Sequence, residues 1–266
     1  MRHNMVKSTL KAGGTAFGTI IFEFNTTGIG RIVASAGADF VMYDMEHTGW
    51  SMETIRMLLA TSRAADLAPM VRVPALQYHF VARVLDLGAL GVMVPMMETE
   101  EDARALVQHA KYPPLGKRGT TFGVGHDDYQ DGDIALKMRS ANEETMLVAL
   151  VETARGVEHV DAIAAVDGID VIWVGHFDLT TSMGIPGEFQ HPRFQAALER
   201  ILDACKRHGK AAGIMVPDAG EGRARLSQGF RALMYLGDVW VYRQALAQGL
   251  SALRASSPAL DKKTER

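Results

Sequence analysis

Hydrophobic residues in this chain gather into short, nearly unbroken runs, separated by stretches in which apolar positions recur every three or four residues. The runs are Phe17–Phe24, Phe40–Tyr43, Met70–Val73, Gly91–Pro95, Met146–Val151, Val171–Val174, Ala212–Val216 and Ala232–Leu236. A run without apolar–polar alternation is a strand covered on both faces, as in a parallel sheet flanked by helices. The stretches between them read as helices over Gly28–Ala36, from Ser51 through Leu59, Tyr78–Gly88, Thr99–Ala110, Asp131–Asn142, Gly156–Ala165, Pro192–His208, Gly220–Gln228 and Val239–Leu253. Ser51 with Thr54 and Thr99 with Asp102 form N-cap pairs, Gly88 is a C-terminal stop, and Pro192 opens a helix in its first turn. Eight strands alternating with helices and no linker-like break predict an α/β protein, a single (β/α)8 TIM barrel over residues 1–266 with an ordered core from about 12 to about 255. A doubly wound sheet is the alternative. The polar segments Met1–Lys11 and Ser256–Arg266 are expected to fray.

Composition changes this picture little. With 266 residues, 47% hydrophobic and 22% charged, the chain can bury a sizeable core and suits one barrel of this kind. Lys+Arg 28 against Asp+Glu 31 leaves a net charge of −3, so no basic excess points to nucleic acid or an anionic membrane. Neither a signal-like apolar segment nor a membrane-length span is apparent, and the lone Cys205 fits a reducing cytoplasm, where it packs a helix rather than acting as a nucleophile. One stretch stands apart. Tyr112–Gly125 is rich in Pro and Gly and lacks periodicity, and loops of that length inside a compact domain tend to be functional.

In a parallel barrel the working residues lie at the C-terminal ends of the strands. That rule selects Asp44, Glu46 and His47 after the second strand, Arg72 ending the third, Glu152 after the fifth and Asp178 after the sixth. Each has a plainer reading. Asp44 or Glu46 can cap a helix, His47 can be a packed loop histidine, Arg72 an ion-pair residue, and Glu152 and Asp178 salt-bridge partners. Convergence of all of them on one mouth argues for chemistry instead. Two adjacent carboxylates repel unless a proton or divalent cation lies between them, so Glu152 and Asp178 are the expected metal ligands. A cation held by two carboxylates keeps positions open for a bidentate 2-oxo acid. Arg72 would stabilise charge on the keto oxygen, and His47 suits proton transfer near neutral pH.

These residues sit in a series of short motifs: Asp44-Met-Glu-His47, Val71-Arg-Val-Pro74, Leu85-Asp-Leu-Gly88, Val94-Pro-Met96, Tyr112-Pro-Pro-Leu-Gly-Lys-Arg-Gly119, Val151-Glu-Thr153 and Gly175-His-Phe-Asp-Leu-Thr180. In that order, from about Phe17 to Leu253, the chain resembles the HpcH/HpaI aldolase family of class II, metal-dependent pyruvate aldolases, a group that includes 2-dehydro-3-deoxyglucarate aldolase and macrophomate synthase. The resemblance implies a (β/α)8 barrel whose last helix is exchanged between subunits of a hexamer built as a trimer of dimers. It implies Glu152 and Asp178 as ligands of Mg2+, Mn2+ or Co2+ and Arg72 on the keto oxygen. His47 becomes the catalytic histidine, with Asp86 as its dyad partner. Gly175, His176, Phe177 and Asp44 join Arg72 in binding substrate. Two departures bear on substrate identity: Leu150 stands where many members carry glutamine, and His176-Phe177 replaces Pro-x. The segment Gly123–Tyr129 also differs from the better-known aldolases, and could bring His126 or Tyr129 to the acceptor end.

The expected activity is retro-aldol cleavage of a 4-hydroxy-2-oxo acid into pyruvate, or a related 2-oxo acid, and an aldehyde. Oxaloacetate decarboxylation through the same enolate is the second reading, as macrophomate synthase would suggest. A non-catalytic oxo-acid-binding protein is the third, for which His47, Asp86 and Arg72 would be unnecessary.

Overall fold

The computed structural model describes residues 2–256. Its strands are β1 (Ala16–Ile21), β2 (Phe40–Asp44), β3 (Ala68–Arg72), β4 (Gly91–Val94), β5 (Met146–Val151), β6 (Val171–Val174), β7 (Ala211–Val216) and β8 (Ala232–Gly237). Each pairs in parallel with its neighbours, and β8 returns to β1 to close the barrel. Strands β2, β4, β5 and β6 are buried at every position, as their uninterrupted apolar composition requires.

Side chains alternate in and out along each strand. The inward set includes Phe40 and Met42, Ala68 and Met70, Met146, Val148 and Leu150, and Val171 and Trp173, which together form the barrel interior. The outward set, among them Val41, Tyr43, Val71, Leu147, Ala149, Ile172 and Ile214, packs against the surrounding helices. Carrying the inward register one step further places Asp44, Arg72, Glu152 and Gly175 on the topmost interior layer. The period-2 pattern thus delivers polar groups to the mouth from strands that are otherwise apolar.

The helices start and stop where local chemistry directs. Ser51 Oγ accepts the Thr54 N–H at 3.2 Å, Thr99 and Asp102 form a reciprocal capping box, and His191 caps the helix Pro192–Arg207. Three features differ from the sequence expectation. The stretch read as one helix over Gly156–Ala165 is two, Ala154–Glu158 and Val160–Ala165, broken at His159. A short helix, His176–Ser182, follows β6 where a loop is expected. The N-terminal segment does not fray: Met5–Lys11 is a helix capped by Asn4, whose side chain accepts the Lys7 N–H at 3.0 Å. Val6 and Leu10, four residues apart and so on one face, bury against the floor of the barrel interior. Asn4 Nδ2 donates to Leu90 O at 2.9 Å, and Arg231 Nη1 to Leu10 O at 2.6 Å, which fixes the helix across the floor. Three apolar residues in this heptapeptide, one of them the exposed Met5, are too few to register in a periodicity reading. The tail expectation beyond Ser256 lies outside the described residues.

The last helix, Asp238–Ser256, is tied down at its start only. The Asp238 carboxylate accepts the N–H groups of Phe22, Glu23 and Phe24 at 3.0, 2.9 and 2.8 Å. Beyond it Val241, Tyr242, Leu246, Leu250 and Leu253 are all exposed. Beside its first turns an apolar cavity of about 590 Å³ opens between β1, β8 and the helix Ile29–Ser35. Among the described residues no helix is long and apolar enough to cross a membrane.

Truncating Leu10, 5% exposed in the plug, is expected to lower unfolding free energy by about 2–4 kcal/mol in Leu10→Ala. Urea titration measures it; a change under about 0.5 kcal/mol, the surface-site range, would mean that the helix contributes nothing to the fold.

Candidate active site

The site begins with a register pair. Asp44 and Arg72 lie opposite each other at the ends of β2 and β3, and Arg72 Nε donates to Asp44 Oδ1 at 2.6 Å. Asp44 is wholly buried, and it also accepts the backbone N–H groups of Glu46 at 3.2 Å and His47 at 2.9 Å. It therefore shapes the loop after β2 and aims the guanidinium. Expected to touch substrate, Asp44 lies buried behind Arg72 and does not line the cavity at the mouth. On the other side, Arg72 Nη1 lies 3.2 Å from Glu46 Oε2, and His47 Nε2 lies 3.6 Å from the same oxygen. That buried oxygen makes no well-aligned hydrogen bond to either.

Across the mouth, Glu152 is 2% exposed. Its Oε1 accepts the Met96 N–H at 2.8 Å, which the left-handed backbone of Met96 (φ 56°) turns inward. Its Oε2 presses against Gly175: a Cβ there would come within 2.4 Å of that oxygen. Glycine at the end of β6 is thus what lets the carboxylate occupy its place. Asp178, one helical turn further, opens to the same space. His47, Arg72, Glu152, Gly175, His176, Phe177 and Asp178 line one cavity of about 470 Å³ over the apolar floor of Leu150, Trp173 and Met93.

The electrostatics follow from this crowding. Burial pushes the Glu152 carboxyl up to about 7, and the charges of Glu46 and Asp178 add to the shift against the Met96 N–H and Arg72. Burial likewise raises Glu46, opposed by Arg72 and His47. Burial takes His176 down to about 4, helped by Arg225, so at neutral pH it is an uncharged wall stacked beside Phe177 and Phe189. Acids that destabilise one another's charge around an open cavity fit a divalent cation, with Glu152 and Asp178 as its carboxylates. Among the described residues no group of three or more His, Cys, Asp or Glu is placed to hold an ion.

Other expected members lie elsewhere. Asp86 ends the helix Tyr78–Asp86, which runs against the strands and so delivers it to the floor of the barrel, opposite the mouth. There it pairs with Arg118 Nη2 at 2.5 Å, not with His47. His126 is buried near Tyr112, at 3.4 Å, and Tyr129 is exposed; neither lines the Glu152–Asp178 cavity. Sequence reasoning missed the Met96 N–H and left Glu46 as one of two interchangeable acids. A backbone donor leaves no side-chain signature, although a residue following Val94-Pro95 is a natural place for an irregular turn.

A closed parallel barrel with acids, one arginine and one histidine gathered at its C-terminal mouth is a (β/α)8-barrel enzyme, its chemistry on the face that fold uses. A profile described as HpcH/HpaI aldolase/citrate lyase matches residues 23–238. A hydroxypyruvate/pyruvate aldolase of Roseobacter denitrificans is 36% identical over 238 residues, 89% of this chain and 91% of that protein. A 5-keto-4-deoxy-D-glucarate aldolase of Escherichia coli is 33% identical over 81% of this chain and 83% of that protein. The crystal structure of an HpcH/HpaI aldolase from Desulfitobacterium hafniense superposes with a TM-score of 0.91 at 31% identity, covering 96% of this chain and 98% of that one. The chain belongs to the HpcH/HpaI aldolase/citrate lyase family. Its reaction class is that of the aldolases, carbon–carbon lyases.

A carboxyl raised above its ordinary value keeps, in the folded state, a proton that the unfolded chain has lost. The stabilising contribution therefore falls as pH rises from about 4.5 toward about 7, and it stays lost above that. In chelator, Glu152→Gln is expected to be more stable than the parent near pH 8 by on the order of 1–3 kcal/mol, with the difference closing near pH 4. Urea titrations at both ends check this; equal stability near pH 8 would refute the penalty.

Proposed function

We propose that this enzyme cleaves a 4-hydroxy-2-oxo acid by retro-aldol reaction, releasing pyruvate or a closely related 2-oxo acid and an aldehyde, with Glu152 and Asp178 holding Mg2+, Mn2+ or Co2+. The observation that carries the reading is the single cavity lined by Glu152, Asp178, Arg72 and His47. The Roseobacter denitrificans relative, named for hydroxypyruvate and pyruvate, points to the same substrate class. The bound cation supplies Lewis-acid polarisation of the oxo acid.

The chain's own groups do the rest. Arg72, braced by Asp44 and Glu46, presents positive charge where the enolate oxygen develops, and it need not reorganise to do so. His47, half exposed at the rim, takes the proton from the C4 hydroxyl as the C3–C4 bond breaks and returns it to C3 of the enolate, which leaves as the 2-oxo acid, with Glu46 beside its ring. The N–H groups of His176, Phe177 and Asp178 open a helix and have no intrahelical acceptor, so they meet the substrate carboxylate. Gly175 N–H already donates to Val151 O at 3.2 Å, and this residue serves through its missing Cβ instead. A neutral His176 with Phe177 makes the neighbouring wall apolar.

A dyad of His47 with Asp86 is available only between subunits, given where one chain holds them. The exposed apolar face of Asp238–Ser256 supports such an assembly: this helix is exchanged with a neighbour, in a hexamer built as a trimer of dimers. The single buried Cys205 fits a cytoplasmic setting.

Removing the metal with a chelator is expected to stop pyruvate release from a 4-hydroxy-2-oxo acid. Glu152→Ala and Asp178→Ala should each lose about 10³-fold or more, and Arg72→Lys about 10²–10³-fold in kcat. Full activity in chelator would sink the proposal, and faster release of carbon dioxide from oxaloacetate than of aldehyde from the hydroxy acid would replace it with decarboxylation. Leu246→Glu with Leu250→Glu is expected to shift the sedimentation profile to smaller species; an unchanged profile rejects the exchange.

A further inference from the structure

The barrel floor presents an electrostatic problem opposite to that of the mouth. Three segments converge there: the N-terminal arm with Arg2, the end of the helix Met52–Ser62 with Arg63, and the Pro/Gly-rich loop with Arg118 and His126. All four side chains line one enclosed cavity, with room for a single water-sized sphere, about 10 Å³. Of the donors there, Arg2 Nη1 and Arg63 Nε and Nη2 are buried and lack any hydrogen-bond partner, while the buried His126 ring has the Asp86 backbone carbonyl beside it. His126 itself is 4% exposed. Tyr112 OH lies 3.4 Å from His126 Nε2. An N–H buried without an acceptor costs about 1–3 kcal/mol, and three guanidinium nitrogens around one cavity call for an acceptor between them.

The nearby acids are already engaged. Glu144, the one acid on the cavity wall, accepts the Asn4 N–H at 2.6 Å and lies 3.1 Å from His3 Nδ1. Asp128 holds Arg63 Nη1 at 2.7 Å, and Asp86 holds Arg118. Asp66 faces Arg2 from a separate outer cleft. Arg2 is held below its usual range by burial and then by the charge of Arg63, against the charges of Asp128 and Asp66. Gly88 keeps the space open, since a Cβ there would stand 3.1 Å from Arg63 Nη2.

We propose that this cavity is a binding site for a monatomic anion of the chloride class, ligated by Arg2 and Arg63 beside His126 and Arg118. The anion joins the N-terminal plug to the loop that positions Asp86. The site lies at the opposite end of the barrel from Glu152 and Asp178 and does not depend on the reaction assigned to them.

Two measurements on the intact protein test this. Crystals grown in sodium bromide are expected to show an anomalous peak between Arg2, Arg63 and His126. Replacing gluconate by chloride at constant ionic strength, from about 10 to about 300 mM, is expected to raise Tm by about 2–4 °C. Arg2→Met, in the arm outside the core, and Arg63→Met are expected to lose that halide-specific rise. Absence of the bromide peak, or equal Tm of the parent protein in both salts, overturns the site.

Discussion

Burying Glu152 at the top of the barrel interior creates a local imbalance that organises the mouth. The carboxylate has left bulk water, it faces Glu46 and Asp178, and one backbone N–H and Arg72 only partly offset this. Left alone, the arrangement favours a protonated acid. With a divalent cation it favours the ionised one, and the same repulsion that destabilises the empty site then becomes affinity. Around that point the surrounding residues act as supports. Met96 adopts a left-handed backbone to donate its N–H, Gly175 omits a side chain to leave room, and Asp44 buries itself to hold Arg72 at the correct height.

The barrel allows this because its interior is otherwise dry and filled. Trp173 sits edge-on to Phe40 at 6.4 Å, and Met42, Met70, Met93, Met146 and Met234 fill the irregular space around them. A packed floor beneath the polar layer keeps water to the mouth and lowers the effective dielectric there, which strengthens every charge interaction in the cavity. The helix Met5–Lys11 completes the seal from below.

The two departures that reach the mouth fall on one wall. His176 and Phe177 join Phe189 in an aromatic group, and burial, helped by the charge of Arg225 behind them, keeps the imidazole neutral. Leu150 adds an aliphatic surface below. Glu152, Asp178, Arg72 and His47 are untouched by these exchanges, while the space beside them becomes more apolar.

The eight strands, their parallel order and the acids at their ends were legible in the chain, because a strand buried on both faces must be apolar along its length and any charge that ends it stands out. Cap pairs such as Thr99–Asp102 were equally legible, since they are local chemistry. What tertiary structure alone decided were matters of direction and neighbourhood. Asp44 closes β2 and Glu46 stands in the loop beyond it, which puts one behind Arg72 and the other beside it. Asp86 belongs to a helix that runs to the floor, so within its own chain it meets Arg118 and not His47. Val6 and Leu10 gain meaning only when a barrel stands above them to be plugged. The unpaired donors of Arg2 and Arg63 and the His126 ring meet from three segments that are distant in sequence, and only the closed fold could bring them to one cavity.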